Sequence, residues 1–508
     1  MGLVPFSERY QDQIVGVLSA YDRLLLQGTL PGLCFAGGMS AYLGGHGVRV
    51  MDYPRWAEPL RDQLRDNAER LAAENGLTIE HIRRTKAFRK EAKVKEILAR
   101  RGEHPGLVWI FSAMEPCESY RPWYDKASRH VFLKPDSGKC LHYYFYFIDE
   151  QLGLCFARVP TWCPFRLQIY TNGRNWLAAE MRKRGVAFRQ LDNAFVEIAD
   201  WALAQQIADG FRVKRLHRKL DQLARRFCPV IQQLGVNYHW SINQAEYATD
   251  VVFGRQSDLQ AIYEPLTRVS IHAVKADQVA TFLGRRLFAH YQDEVGNRFD
   301  VRIQGTRIKH TMGPVSIKMY DKFGLILRIE TTVNDVTFFP HYREVEQRDG
   351  QRVRKWADMK RNIYSLPVLS ERLLAANCRY LEFLSTIEDQ TAGIDKLDRF
   401  TKTIRHNDRG YPGFNFFCTE DRVLMEMLLR GEYNIQGLRN KDLRQHLKNR
   451  SPGQVSRLLR RLRLHGILRK AGSAYRYMLT PLGKQLIVLA LKLRTFVIIP
   501  ELTAAPAS

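Results

Sequence analysis

The sequence predicts an α+β protein: an antiparallel-sheet core with flanking basic helices, followed by a separate, mainly helical C-terminal domain. Three observations carry this. Short alternating runs joined by tight turns recur between residues 106 and 335, and period two marks half-buried strands. Basic amphipathic stretches of helical period lie before and among them. Beyond a polar stretch, residues 417–498 pass through helix signals, a short hairpin and a closing helix. At 508 residues the chain exceeds one ordinary core. We divide it into a basic helical region (1–105), an α+β core of one or two β-units (106–388), a linker (389–416), the C-terminal domain (417–498) and a tail (499–508).

Apolar residues make up 45% of the chain, which suits a folded protein rather than a disordered one. Lys and Arg total 78 against 53 Asp and Glu, a net charge of +25. An excess of that size, clustered as below, favours a polyanionic partner: nucleic acid, DNA ahead of RNA. The eight cysteines form no Cys-x-x-Cys pair, so no structural zinc site is expected and free thiols suit a reducing cytoplasm. With no leader-like start and no window of eighteen apolar residues, no membrane partner is expected. The apolar run at 486–500, broken by Lys492 and Arg494, reads as a packed helix.

Taken in order, residues 8–27 read as a helix and the glycine-rich passage 28–47 as turns, since no phosphate-loop spacing accompanies its glycines. Pro54 near its start and Asn75-Gly76 at its end bound a helix over 54–74. Residues 78–102 are the first basic cluster, with Arg83, Arg84, Lys86, Arg89, Lys90 and Lys93 among apolar neighbours. Charge so dense on a helix is relieved by solvent or by phosphates. We expect it to contact a nucleic-acid backbone, which positions without specifying.

A strand over 107–111 and a hairpin over 141–149 and 154–160 come next, then a strand (165–170), the Asn172-Gly173 turn and a helix (174–183). Tyr143, Tyr144, Tyr146, Trp162 and Tyr170 either stack unpaired bases or fill a core. A helix over 213–227 sets Lys214, Arg215 and Arg218 opposite Leu216, Leu220 and Leu223. Beyond Gly235, a strand (246–253), two helices (257–266, 275–286) and a strand (300–309) lead into the hairpin of residues 305–335.

That hairpin is the most informative stretch. Residues 316–321 and 325–330 alternate around a Lys322-Phe323-Gly324 loop whose glycine takes the left-handed conformation, placing Asp321 opposite Leu325. Ile317, Met319, Leu325, Leu327 and Ile329 then share a core face, and Lys318, Tyr320, Arg328 and Glu330 share the other. The pattern Asp321, Gly324, Arg328 echoes Asp149, Gly153, Arg158, as a duplicated β-unit or as two unrelated hairpins. We assign Lys309, His310, Lys318, Lys322 and Arg328 to nucleic-acid binding. Glu246, Asp250, Asp321, Glu330 and Asp335 are the oxygen ligands open to Mg or Mn, and ion pairs with Lys318, Lys322 and Arg328 are the alternative use of the same groups.

The run IKMYDK (317–322) with its return LRIE (327–330) resembles the hairpin of plasmid and filamentous-phage rolling-circle replication initiators. Those proteins nick one DNA strand through a tyrosine, assisted by a metal. The resemblance implies a metal role for Glu330 and, with it, Asp321; it does not identify the nucleophile, and we assign Tyr320, which belongs to the hairpin motif, with Glu330 as the catalytic residues, Tyr238, Tyr247 and Tyr263 being nearby candidates. The chain departs from many nicking enzymes in having no His-hydrophobic-His pair.

In the C-terminal domain, helices over 419–429 and 440–447 precede Ser451-Pro452, an N-cap and first-turn proline. The helix they open, 452–465, buries Val455, Leu458, Leu459 and Leu462 and presents Gln454, Arg457, Arg460 and Arg461. Gly466 ends it; a hairpin over 467–470 and 475–479 and a helix from Pro481 follow. This order resembles a winged helix-turn-helix of the multiple-antibiotic-resistance-regulator type. The resemblance implies that the third helix enters a major groove while Arg469, Lys470 and Arg476 touch backbone or minor groove. The chain as a whole resembles a family of uncharacterised bacterial proteins, which implies no function. Two functions are expected: a metal-dependent nicking or strand-processing protein of a mobile element or replicon, or a non-catalytic DNA-binding regulator or RNA-binding partner of a structured RNA.

Overall fold

Residues 14–29, read above as helix to residue 27 and as turn beyond it, form the strand at the centre of the sheet. Their middle is buried without interruption, and a strand covered on both faces loses the alternation that would reveal it. The computed structural model describes residues 5–83, 88–287, 291, 294–302, 305–385, 391–447, 450–471 and 475–504. It divides into two units, Met1–Ile387 and Glu388–Ser508.

The first unit opens on β1 (Ile14–Thr29), β2 (Ile79–Ile82), β3 (Gly106–Asp125), β4 (His130–Asp149), β5 (Gly153–Pro160) and β6 (Leu167–Asn172). A small β7 (Phe188–Leu191) and β8 (Ala194–Ile198) pair follows, then β9 (His239–Phe253), β10 (Val295–Arg302), β11 (Gly305–Met312), β12 (Val315–Lys322) and β13 (Ile326–Val333). The ribbon β14 (Pro340–Glu346) and β15 (Arg352–Asp358) completes the set. Eleven strands form one sheet, as an α+β class expects, in the order β10-β11-β12-β13-β9-β1-β6-β5-β4-β3-β2. It is antiparallel except where β2 meets β3.

This order contains a repeat. β1 begins the first half and β6, ending the β3-to-β6 meander, returns beside it; β9 begins the second half and β13, ending the β10-to-β13 meander, returns beside it. The two opening strands pair antiparallel at the centre. By position β4–β5 corresponds to β11–β12, so the Asp-Gly-Arg echo between β4–β5 and β12–β13 does not fall on equivalent strands.

The helices that position the site are α1 (Tyr53–Glu74), α2 (Lys90–Arg101), α3 (Gly173–Lys183), α4 (Trp201–Asp209), α5 (Val213–Phe227), α6 (Gln256–His272), α7 (Ala276–Phe282) and α8 (Leu366–Ser385). One face of the sheet packs Leu24, Phe145, Ile169, Ile317 and Ile329 with buried residues of α1, α5, α6 and α8. On the other, α3 and α4 cover Leu18 and Ala20, and α2 covers Phe111, Tyr144 and Tyr146.

Several boundaries are corrected. Residues 78–102 combine β2 with α2, and the strand expected at 300–309 is the hairpin β10–β11. The helix expected at 275–286 is the shorter α7. In β12–β13, Lys322 pairs with Ile326 and Asp321 with Leu327, so the loop is Phe323-Gly324-Leu325. Phe323 and Gly324 both have positive φ, at 60° and 71°. The slip is even in parity, so Ile317, Met319, Leu327 and Ile329 keep the core face and Lys318, Tyr320, Arg328 and Glu330 the other, but Leu325, expected on the core face, lies in the loop and packs beside Val252 and Ile326.

In the second unit, α9 (Thr419–Leu428), α10 (Asn440–His446), α11 (Pro452–Leu464) and α12 (Pro481–Leu493) surround a core that includes Leu424, Leu443, Leu459 and Ile487. The small pairs β16 (Ile404–His406) with β17 (Arg409–Tyr411) and β18 (Leu468–Lys470) with β19 (Tyr477–Leu479) complete it. Phe400 and Phe414 lie inside this core, so the stretch expected as a linker belongs to the unit. The run 486–500 is not wholly packed: Leu489, Leu493 and Phe496 are exposed. Among the described residues, no helix is long and apolar enough to cross a membrane, and all eight cysteines are free thiols.

Candidate functional site

The sheet face bearing Lys318, Tyr320, Arg328 and Glu330 gathers a polar cluster from five strands, one helix and the β7–β8 turn. Register explains its assembly. On β13, Arg328 and Glu330 sit opposite Asp250 and Ala248 of β9 on one side and Tyr320 and Lys318 of β12 on the other. Glu246 of β9 lies across from Arg23 of β1, where a bulge at Asp22 turns that carboxylate toward the group.

Arg328 is the hub. It donates from Nε to Asp250 Oδ1 at 2.6 Å, from Nη2 to Asp250 Oδ2 at 2.8 Å and to the Asn193 carbonyl at 2.9 Å, and from Nη1 to Asp22 Oδ2 at 3.0 Å. Arg174, at the start of α3, donates to Asp250 Oδ2 at 2.6 Å. Asn172, the α3 N-cap, donates to Asp22 Oδ1 at 2.9 Å, and Asn193 donates to both Asp22 oxygens at 2.8 and 2.7 Å. Burial pulls the Arg174 guanidinium below its ordinary range. Although burial works against each charge, Arg174 and Arg328 hold Asp250 low, and Asp250 and Asp22 hold Arg328 high.

Beside this network, Glu330 accepts from Lys318 Nζ on Oε1 and from Tyr320 OH on Oε2, both at 2.6 Å. Against the opposing effect of burial, Lys318 and Tyr320 keep Glu330 ionised below the usual carboxylate range. Burial, then the charge of Glu330, pushes the Tyr320 phenol well above its normal value. Tyr320 thus stands as a hydrogen-bond donor to Glu330, with its phenolate disfavoured. Glu246, 3.6 Å from Lys318, is pushed up by burial and by the neighbouring Glu330.

Oxygens of Asp22, Glu246 and Glu330 lie within 4.8 Å of one another, the acidic group among the described residues with spacing for a metal ion. Its three carboxylates are the oxygen donors a divalent cation takes, but they already have partners. The carboxylates Asp22, Glu246, Asp250 and Glu330 are matched by Arg174, Lys318 and Arg328, with Arg23 across the strand pair. Both Glu330 oxygens and both Asp22 oxygens already accept hydrogen bonds. The expected metal pair Asp321 and Glu330 is not formed: Asp321 points to the opposite face, accepts from Gly324 N at 2.9 Å, and is pushed up to about 6 by burial. Asp335 caps the turn at Thr337 and pairs with Arg361.

The basic residues separate by exposure. Arg328 and His310, expected at a nucleic-acid surface, are fully buried. His310 Nδ1 and Nε2 lie 2.7 Å from Asn297 Oδ1 and 2.9 Å from Tyr380 OH. Lys322 is buried against Asn193 and lies 3.5 Å from Asp192. Lys90 rests over the Tyr144 ring at 3.4 Å, near Glu115. Lys309 stays half-buried, in line across the sheet with Arg298 and Lys318. Arg83, Arg89, Lys214, Arg215 and Arg218 are exposed, and Lys93 pairs with Glu96. Arg84 and Lys86 lie outside the described residues.

In the second unit, Gln454, Arg457, Arg460, Arg469, Lys470 and Arg476 are exposed. Arg461 is not available: its guanidinium stacks over Phe414 at 3.8 Å, donates to the Pro412 carbonyl at 2.8 Å and to the Gly413 carbonyl, and lies 3.4 Å from Asp421. Reading the sequence missed Asp22, Arg23, Arg174 and Asn193. The mostly apolar runs on either side of Asp22-Arg23, residues 14–21 and 24–26, were the available signal for a central strand.

No family model, curated protein or solved structure matches this chain.

Proposed function

We propose that this is a nucleic-acid-binding protein whose second unit reads duplex DNA in the manner of a winged helix-turn-helix, with α11 as the reading helix and β18–β19 as the wing. The carrying observation is the division of faces on α11. Val455, Leu458, Leu459 and Leu462 are buried, while Gln454, Arg457 and Arg460 stand exposed, with no carboxylate within 4.0 Å of either arginine among the described residues. A groove of about 1470 Å³ beside it is lined by Arg409, Arg450, Arg457 and Arg460. Unpaired guanidinium groups on a rigid helix suit bidentate contacts with guanine edges and phosphates.

In the first unit, Arg83, Arg89, Lys214 and Lys309 supply phosphate contacts that position without specifying. The sheet cluster serves in this reading as a structural anchor. A metal-dependent nicking role would rest on Asp22, Glu246 and Glu330 with Mg or Mn, and the hydrogen bonds already made to those oxygens favour the binding role.

Selection of full-length protein against a randomised duplex library tests this. The expected result is an enriched motif bound with strong salt dependence. Failure to enrich any motif, with no salt-sensitive retention of duplex, would overturn the reading.

A further inference from the structure

We propose that the open cavity bordered by α3, the end of α4, the start of α5 and the β4–β5 turn is a nucleotide-binding pocket, with guanidinium groups for the phosphate and an aromatic floor for the base. The proposal is independent of the duplex-reading role given to the second unit.

The cavity measures about 450 Å³, within the range of small-molecule sites. Its walls come from sequence-distant stripes. On α5, Arg215, Arg218, Lys219 and Gln222 recur at helical spacing on one face, and on α3 so do Trp176, Glu180, Lys183 and Arg184. Phe211 and Arg212 close the wall between α4 and α5.

Six lining residues are cationic and one, Glu180, is acidic. Lys183 is neutralised by Glu180 at 3.1 Å and Lys219 by Asp149 at 2.5 Å. Among the described residues no carboxylate lies within 4.0 Å of the other four, Arg184, Arg212, Arg215 and Arg218. Four unneutralised guanidinium groups about one cavity repel each other, and a phosphate relieves that repulsion while matching their planar donor forks. The positive end of the α5 dipole, at Val213, acts in the same sense.

The aromatic floor narrows the ligand class. Trp176 and Phe211 meet edge to face, with ring centroids 5.0 Å apart at 90°, and both are partly buried, packed against the core behind the cavity. Rings beside unpaired arginines fit a planar base carried on a phosphate better than a bare anion. The same chemistry is offered by a free nucleotide and by the terminal nucleotide of a strand.

Calorimetric titration of the full chain tests this with adenosine 5′-monophosphate, adenosine and inorganic phosphate. The nucleotide is expected to bind about tenfold or more tightly than either component alone. Arg215→Ala with Arg218→Ala should weaken it by about tenfold or more, and Arg184→Gln gives a single-site check if the double variant folds poorly. Arg457→Ala with Arg460→Ala should leave nucleotide binding unchanged, so loss of the pocket and loss of duplex reading are separable. Competition by a 5′-phosphorylated oligonucleotide, and none by its 5′-hydroxyl form, would identify a strand end as the ligand; absence of competition would identify a free nucleotide. Equal affinity for adenosine and its monophosphate, equal affinity for inorganic phosphate, or unchanged binding in the arginine variants would overturn the proposal.

Discussion

Arg328 of β13 and Asp250 of β9 face each other on neighbouring strands as a two-bond pair, 2.6 and 2.8 Å, wholly removed from solvent. A pair so placed is unforgiving of partial removal, because the surviving charge keeps its desolvation cost without its partner. Arg328→Ala or Asp250→Ala should each lower unfolding stability by about 3–5 kcal/mol. Urea denaturation followed by circular dichroism measures this. A loss below about 1 kcal/mol would show that water or a rearranged Arg174 replaces the missing partner.

The hydrogen bonds held by Glu330 lead to a prediction about chemistry. With Mg or Mn, the protein should bind labelled single-stranded DNA without nicking it. Metal-dependent cleavage that disappears in Glu330→Gln would reverse the reading of the sheet cluster from anchor to active site.

His310 sets one pH dependence. Burial holds its imidazole down at about 4, against an ordinary 6.5. Between those values the unfolded chain takes up a proton that the folded chain refuses, so stability is lost as pH falls from about 6.5 toward 4. In His310→Gln the slope of urea midpoint against pH over that window should shrink. An unaltered slope would assign the effect elsewhere, to His142 for example, which burial also holds at about 4.

Asp321 acts in the opposite sense. Its carboxyl is pushed up to about 6 from 3.8, so the folded state keeps a proton that the unfolded state releases, and stability falls as pH rises from about 4 to 6. Asp321→Asn retains an acceptor for Gly324 N and should flatten this component. Nuclear magnetic resonance titration of the Asp321 carboxyl near pH 4 would contradict it.

Two arginines four residues apart on α11 should behave differently. Arg457→Ala should cost about 1–3 kcal/mol of discrimination between preferred and random duplex while leaving stability unchanged. Arg461→Ala should destabilise the second unit by about 2 kcal/mol through its lost stacking and carbonyl bonds, with sequence preference retained in the folded fraction. Paired melting and competition-binding measurements separate the two.

Properties set by short-range period were legible in the sequence. The two faces of β12–β13, the leucine stripe of α5 and the capped, half-buried α11 follow from spacings of 2 and 3.6, which need only neighbours along the chain. Sequence alone also established the excess positive charge. It did not establish where that charge is free. Arg328, His310, Lys322 and Arg461 carry the same donors as Arg215 or Arg457, yet their partners arrive from distant segments, as Asp22 does to Arg328 across 306 positions. The strand state of residues 14–29 was likewise decided by β6 and β9 pairing on its two edges and packing on both faces. The sheet cluster and the α3–α5 cavity exist because strand order and helix packing bring remote charges together. Ion pairing then determines which cations remain available to a partner.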